Sequence, residues 1–564
     1  MKKSKKIIWI PIVSVLAILL ILGTILFVNY YKSSKTTLDV SLKQIEQTQD
    51  ILVEWDTSKP IDKVTITVSH GKDTYYKATF TDTNTIAKGF YTVPSFYGNQ
   101  KVNVEIKRGI YKTNKSESIG LSADEYNIAP ITGTMPVTMF SLSLKDITDN
   151  YNIPTFVWFK RSGVWDYSKM PTNVYAIPVI DSQSFLNDSM QDEVYKKTSE
   201  WVKELYSINP NSHFNFYYND YFAYGWMQAT IANEIPKENY HVTLLSDGTA
   251  SFTFFNELFD NDDASYNYQV MQSDYTKLKQ EIAENKSFTI KSKYTVDALD
   301  LAYYPYVMIK EEDNVDWWLT RVSGTLALNN SAVADDIANL SSNSIGKIKV
   351  KDLNTLLKNL NEQEKQLVKD LYNFSDAMFE KATSSNKKIM VILGTWTADE
   401  VNFDEYVKAT QKYYGDDYIY YYKGHPRNPT AFEKGKLEHL ESLNLIDIDS
   451  TIAAELIFFF NPEASTTGYQ SSTFLSLSDE QSGGIFNVRK DNITGDIELY
   501  KDKIDFFVTK IEAENDPYYS LRSNDKCYVL EFMDTTEYDI GVYDYNSDTL
   551  KYYKQNGSSW DLVK

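Results

Sequence analysis

Lys388-Ile389-Met390-Val391-Ile392-Leu393-Gly394-Thr395-Trp396 decides how this chain folds. From Ile389 to Leu393 every residue is apolar, with no polar alternation. A strand of that kind is covered on both faces, as in a parallel sheet. A helical stretch over residues 361–382 precedes it, with Leu367, Leu371, Phe374, Met378 and Phe379 on one face. A buried strand after such a helix opens a βα series.

An earlier series begins near residue 150. Val174-Tyr175-Ala176-Ile177-Pro178-Val179-Ile180 reads as a strand, and residues 191–206 read as a helix with Val194, Trp201, Val202 and Leu205 inward. Two such series predict an α/β protein of two Rossmann-like lobes, with ligands in the cleft between them.

Outward from the lobes the patterns change. Residues 37–145 alternate with period two, as in Thr65-Ile66-Thr67-Val68 and Lys101-Val102-Asn103-Val104-Glu105-Ile106, and turn residues separate the runs. This predicts an Ig-like β-sandwich, read as a spacer. Residues 486–564 return to tyrosine-rich alternation, as in Tyr538-Asp539-Ile540-Gly541-Val542-Tyr543, a β-rich tail of unassigned role. The lobes then occupy 146–345 and 346–485. At the other end, Lys2, Lys3, Lys5 and Lys6 precede an apolar run over residues 7–28. The run is long enough to cross ~30 Å of hydrocarbon as a helix. Asn29-Tyr30-Tyr31-Lys32 follows, with no small-residue cleavage site. Residues 1–36 therefore read as an uncleaved transmembrane anchor with cytoplasmic lysines. The expectation is a single-pass cell-membrane protein whose bulk is extracellular.

Composition narrows the function. The chain has 564 residues, 42% of them hydrophobic, and a net charge of −20. That balance excludes a nucleic-acid partner, which needs a basic face. An anionic ligand would need a local basic cluster. Cys527 is the single cysteine and the five histidines are scattered. No disulfide, zinc spacing or His-rich metal site is expected, and no cofactor.

Ligands of open parallel sheets gather at the carboxyl ends of strands. In His241-Val242-Thr243-Leu244-Leu245-Ser246-Asp247-Gly248, an apolar strand delivers a carboxylate able to take a proton from a substrate hydroxyl. Asp-Gly is equally a common turn dipeptide. Gly394 and Thr395 follow a strand closely enough to approach a ligand, and Trp396 suits a sugar face or a core position. Tyr422-Lys423-Gly424-His425-Pro426-Arg427 gathers three basic side chains, which fits an anion, a proton donor to a leaving phosphate, or a basic surface loop. Glu455, and then Gly468-Tyr469-Gln470-Ser471-Ser472 before an apolar run, suit a phosphate cradle at a helix start or plain capping.

Taken in order, Ser246-Asp247-Gly248, Gly394-Thr395-Trp396, Lys423-Gly424-His425-Pro426-Arg427, Glu455 and Ser471-Ser472 resemble the bacterial multifunctional sialyltransferases of glycosyltransferase family 80. The resemblance spans roughly residues 150–480. It implies a GT-B fold, with the acceptor on the first lobe and CMP-sialic acid on the second. The reaction it implies is inverting, metal-independent transfer to a terminal galactoside. By match to the family's motifs, Asp247 would be the general base and His425 the general acid on the CMP phosphate. Ser471 and Ser472 would bind that phosphate, and Glu455 the ribose. Lys423, Gly424, Pro426, Gly394 and Thr395 would complete the donor site, and Trp396 would cover the acceptor. Two departures stand out. Ser246 occupies the place of an acidic residue, and a histidine expected within residues 217–226 is replaced. Two other readings follow from these: transfer of another CMP-activated acidic sugar, or a non-catalytic surface protein that binds glycans or partners.

Overall fold

The computed structural model describes residues 9–564 apart from 34–35, 47, 82–86, 110, 161–164, 181–190, 223, 248, 286–303, 321–329, 396–401, 426–435, 451, 479–480, 482, 491–502, 513 and 534–536. The chain divides into two compact units, residues 126–198 with 214–564 and residues 1–125 with 199–213.

The larger unit is built on two sheets. The first comprises β1 (Glu125–Ile131), β2 (Thr155–Phe159), β3 (Val174–Ala176), β4 (His213–Asn219), β5 (Tyr240–Leu245), β6 (Val315–Leu319) and β7 (Ile348–Val350). Their order is β3-β2-β1-β4-β5-β6-β7. Parallel registers include Phe216↔Val242 and Leu244↔Trp317. Every residue of β2 and β6 is buried, as strands covered on both faces require. The strand read over 174–180 is laddered only at Val174–Ala176.

The second sheet begins with the decisive run. Its parallel part comprises β8 (Lys388–Leu393), β9 (Tyr418–Lys423), β10 (Leu445–Ile448), β11 (Ala464–Gly468), β12 (Gly483–Phe486) and β13 (Ile504–Lys510). Then β14 (Cys527–Phe532), β15 (Ile540–Asp544), β16 (Thr549–Asn556) and β17 (Ser559–Leu562) continue it antiparallel. The order is β10-β9-β8-β11-β12-β13-β14-β15-β16-β17. Both sheets therefore run to one side and then return past their first strand. That leaves a crevice at the carboxyl ends of β1 and β4, and another at those of β8 and β11.

These facts correct several boundaries. The N-terminal β-rich region, expected as a sandwich to residue 145, ends before β1. Ile128, Ala129 and Ile131 are fully buried and β1 pairs parallel to β2, so this run belongs to the first lobe. The first lobe also extends past residue 345, because Ile348 in β7 pairs with Trp317. The tail from 486 is no separate appendage. Tyr528, Leu530, Phe532 and Tyr543 share one apolar core with Met390, Ile392 and Tyr406. The single helix expected over 361–382 is broken. Glu362–Leu371 opens with a capping box between Asn361 and Glu364, Asn373 then turns left-handed at φ 51°, and Glu380–Ser385 resumes.

The smaller unit carries two antiparallel sheets. One pairs Leu38–Gln44, Ile51–Thr57 and Lys88–Val93, and the other Asp73–Phe80, Lys63–His70, Gly98–Arg108 and Tyr111–Leu121. Ile51, Val53, Ile66, Val68, Val102 and Val104 are fully buried, as their period-two spacing predicts. Within this unit Glu204 accepts from His70 at 2.9 Å. At the N-terminus Trp9–Ser33 is helical. Its side chains before Val15 lie outside the described ones, and the apolar side chains from Val15 to Val28 are exposed. Among the described residues no helix is long and apolar enough to cross a membrane.

Candidate functional site

The second lobe brings four strand ends together. At the end of β8, Gly394 N–H donates to Lys423 O at 3.0 Å, and Tyr469 N–H donates to Leu393 O at 2.9 Å. A side chain at Gly468 would put its Cβ 2.3 Å from Leu393 O, so only glycine lets β11 approach β8 this closely at φ 129°. At the end of β9, Lys423 is 2% exposed, and its Nζ donates to Gly424 O and Ser450 O at 2.9 Å each. Burial lowers its pKa to about 8, while the carboxylates of Glu455 and Asp449 oppose that fall.

Glu455 sits in the first turn of the helix Ala454–Phe460 and is 3% exposed. Its Oε1 accepts from Thr473 Oγ1 at 3.0 Å, whereas Oε2 is buried and has no hydrogen-bond partner among the described residues. Burial raises its pKa, against its own backbone N–H, the Thr473 bond and the Lys423 charge. Ser471 caps the 3₁₀ turn Ser472–Ser476: its Oγ accepts from Thr473 N–H at 3.3 Å and its hydroxyl donates to Thr473 Oγ1 at 3.1 Å. A chain of hydroxyls thus runs from Ser471 through Thr473 to Glu455.

One cavity collects these groups. Gly394, Lys423, Gly424, His425, Glu455, Ser471 and Ser472 line it, with Thr473 beside them and Thr134 facing in from the first lobe. Seven residues singled out in the sequence therefore meet in one place. Thr395 follows Gly394, is half-buried and is not among the lining residues. Trp396 and Pro426, with Gly248 and Arg427, lie outside the described residues.

Asp247 stands on the first lobe, two residues past β5. Ser246 before it is fully buried. Its N–H donates to Trp318 O at 3.0 Å, and its Oγ has no partner among the described residues. A Cβ on Gly133 would lie 2.2 Å from Asp247 Oδ1, so the carboxylate rests against the chain where the helix Thr134–Leu142 begins. Asp247 does not line the cavity itself. It lies against Gly133, whose neighbour Thr134 does line the cavity. Behind it lies Asp220, 2% exposed, whose pKa burial raises to about 6 against the hydrogen bonds it accepts. Asp220, Thr134 and Thr473 were not legible as site residues. The one sequence signal was a polar pair, Asn219-Asp220, at the end of an aromatic strand. Among the described residues no group of three or more His, Cys, Asp or Glu is placed to hold a metal ion.

No protein-family model and no curated protein matches the chain. Solved structures do. A 2,6-sialyltransferase of Photobacterium sp. JT-ISH-224, in a ternary complex with CMP and lactose, is 12% identical with a TM-score of 0.51. The match covers 83% of this chain and 92% of that one. An α/β-galactoside α-2,3-sialyltransferase of Photobacterium phosphoreum is 13% identical with a TM-score of 0.50, covering 68% of this chain and 96% of that one. At such identities the likeness is one of architecture. Two switch-point sheets facing a common cavity are the fold that this chain shares with bacterial sialyltransferases.

Proposed function

We propose that the chain is an inverting glycosyltransferase that moves sialic acid from CMP-sialic acid to a terminal galactoside hydroxyl. One observation carries the reading: Gly394, Lys423, Gly424, His425, Glu455, Ser471 and Ser472, spread over some eighty residues, line a single cavity. The unpartnered Glu455 Oε2 supports it further, because a buried carboxylate oxygen lacking a donor suits a ribose hydroxyl.

In this reading Asp247 takes the acceptor proton as the hydroxyl oxygen bonds to the anomeric carbon. The bond from that carbon to the phosphate oxygen breaks on the opposite face. His425 gives its proton to the departing CMP phosphate, and the Ser471 and Ser472 hydroxyls hold that phosphate. Lys423, Gly424, Pro426, Gly394 and Thr395 shape the donor site, and Trp396 covers the acceptor. No metal takes part. The apolar run over residues 7–28 holds the enzyme to the cell membrane with its bulk outside, which extraction of membranes with carbonate tests.

The direct experiment incubates the purified region from residue 37 with CMP-sialic acid and lactose. Release of CMP together with sialyllactose is expected. Failure with every CMP-sugar tried, together with binding of galactosides, would favour the non-catalytic reading. That reading draws on Ser246, whose buried, unpartnered hydroxyl replaces an acidic side chain.

A further inference from the structure

We propose that Asp220 is a positioning residue: its buried carboxylate ties the ends of β4 and β5 to the middle of β6 and fixes the backbone from which Asp247 projects. The proposal rests on the reading of Asp247 as the base.

The geometry is specific. Asp220 Oδ1 accepts from Asp247 N–H at 3.0 Å and from Ser251 Oγ at 2.8 Å. Ser251 Oγ also accepts from that same Asp247 N–H at 2.8 Å, which closes a three-membered ring of hydrogen bonds. Asp220 Oδ2 accepts from Trp317 Nε1 at 2.9 Å. The neighbouring Tyr221 backbone N–H donates to Asn219 Oδ1 at 2.6 Å. Among the described residues no cation contributes to the balance of charge around Asp220; every group that favours its ionised form is a neutral donor.

A carboxylate buried without a cation is costly, and such groups persist where their acceptor geometry is needed. Here the geometry serves one loop. Ser246 does not share the task, since its Oγ has no partner among the described residues. On the far side the Asp247 carboxylate lies against Gly133, where an added Cβ would come within 2.2 Å of Oδ1. Asp247 is thus fixed at the backbone by Asp220, with its carboxylate against Gly133. A misplacement of about 1 Å costs on the order of a hundredfold in rate.

The test compares Asp220→Asn, Asp220→Ala and Asp220→Asn/Trp317→Phe in transfer assays, CMP calorimetry and deuterium exchange. Asp220→Asn keeps one acceptor oxygen but turns an amide N–H toward the Trp317 N–H. It should lower kcat about tenfold or more and leave CMP affinity and donor KM unchanged, since the CMP cavity is built largely by the other lobe. Removing the opposing donor in the double variant should recover most of the loss, which a general folding defect would not allow. Asp220→Ala should speed exchange in the peptide covering residues 244–252. Wild-type kcat in Asp220→Asn, or unaltered exchange in Asp220→Ala, overturns the proposal. If the wild-type protein transfers nothing, the exchange result alone decides: faster exchange confined to residues 244–252 upholds the tie while the reaction reading falls, and unaltered exchange removes both.

Discussion

Each lobe buries a carboxylate at its switch point, and the two are used differently. Asp220 has both oxygens engaged, by the Asp247 N–H, the Ser251 hydroxyl and the Trp317 indole. Glu455 is buried to a similar degree, yet among the described residues only its Oε1 is engaged and its Oε2 faces no donor. A buried acceptor without a donor is unfavourable, so folding alone does not account for Glu455. The contrast separates a group satisfied by its own protein from one left for a ligand. Glu455 lines the cavity and Asp220 does not.

The largest effect should come from the residue that Asp220 holds. Asp247→Asn keeps shape and loses basicity, so transfer should fall by about 10²- to 10⁴-fold while CMP binding by calorimetry persists. An active Asp247→Asn enzyme would remove this residue from the mechanism and leave the first lobe's carboxylates purely structural.

Glu455→Gln sharpens the comparison from the other lobe. Affinity for CMP should drop about tenfold, the scale of one hydrogen bond to a charged group, and any preference for CMP over 2′-deoxy-CMP should shrink. The melting temperature without ligand should hold or rise, because the substituted amide carries no charge to bury. Asp220→Ala should do the reverse: CMP affinity stays, while stability falls by about 1–3 kcal/mol as donors are orphaned. Equal melting shifts in the two variants would erase the distinction.

Acid should expose Asp220 next. Its folded pKa is about 6, against about 3.9 in an unfolded chain. Between those values the folded state binds more protons, so the contribution of this group to stability is full below about pH 4 and lost as pH rises through about 6. Function runs the opposite way, since only the ionised form accepts from all its donors. The rate should therefore fall as pH drops through about 6 while stability from this group increases, and Asp220→Asn should flatten both profiles. Smallest of all, a chelator should change neither CMP release nor transfer; a rate restored by added divalent ion would break the metal-independent reading.

Much of the second lobe was legible because its chemistry follows local runs. β8 is an apolar stretch ending in glycine, and β9 ends in Lys423-Gly424-His425, so strand ends and reactive groups coincide in sequence. Asp220 was not legible. Its meaning depends on β4 lying next to β5, where Asn219 pairs with Leu245, and no spacing along the chain states that register. The tail illustrates the same limit. Alternation showed strands such as Ile540–Asp544, but their membership of the second sheet arises from pairing across β13 and β14. The early end of the sandwich has a similar cause, since Glu125–Ile131 declares its sheet only through its parallel partner.

The antiparallel run after β13 has a consequence for biosynthesis. The apolar core around Met390 and Ile392 is completed by Leu530, Phe532, Tyr543 and Tyr552. A ribosome that has already made the whole cavity, through Ser472, still has about eighty residues to add before that core closes. Until then the nascent chain presents an unpaired strand edge and uncovered aromatic rings, the features that recruit chaperones or seed aggregation. A message cut short after the cavity residues should therefore yield insoluble protein rather than a smaller enzyme.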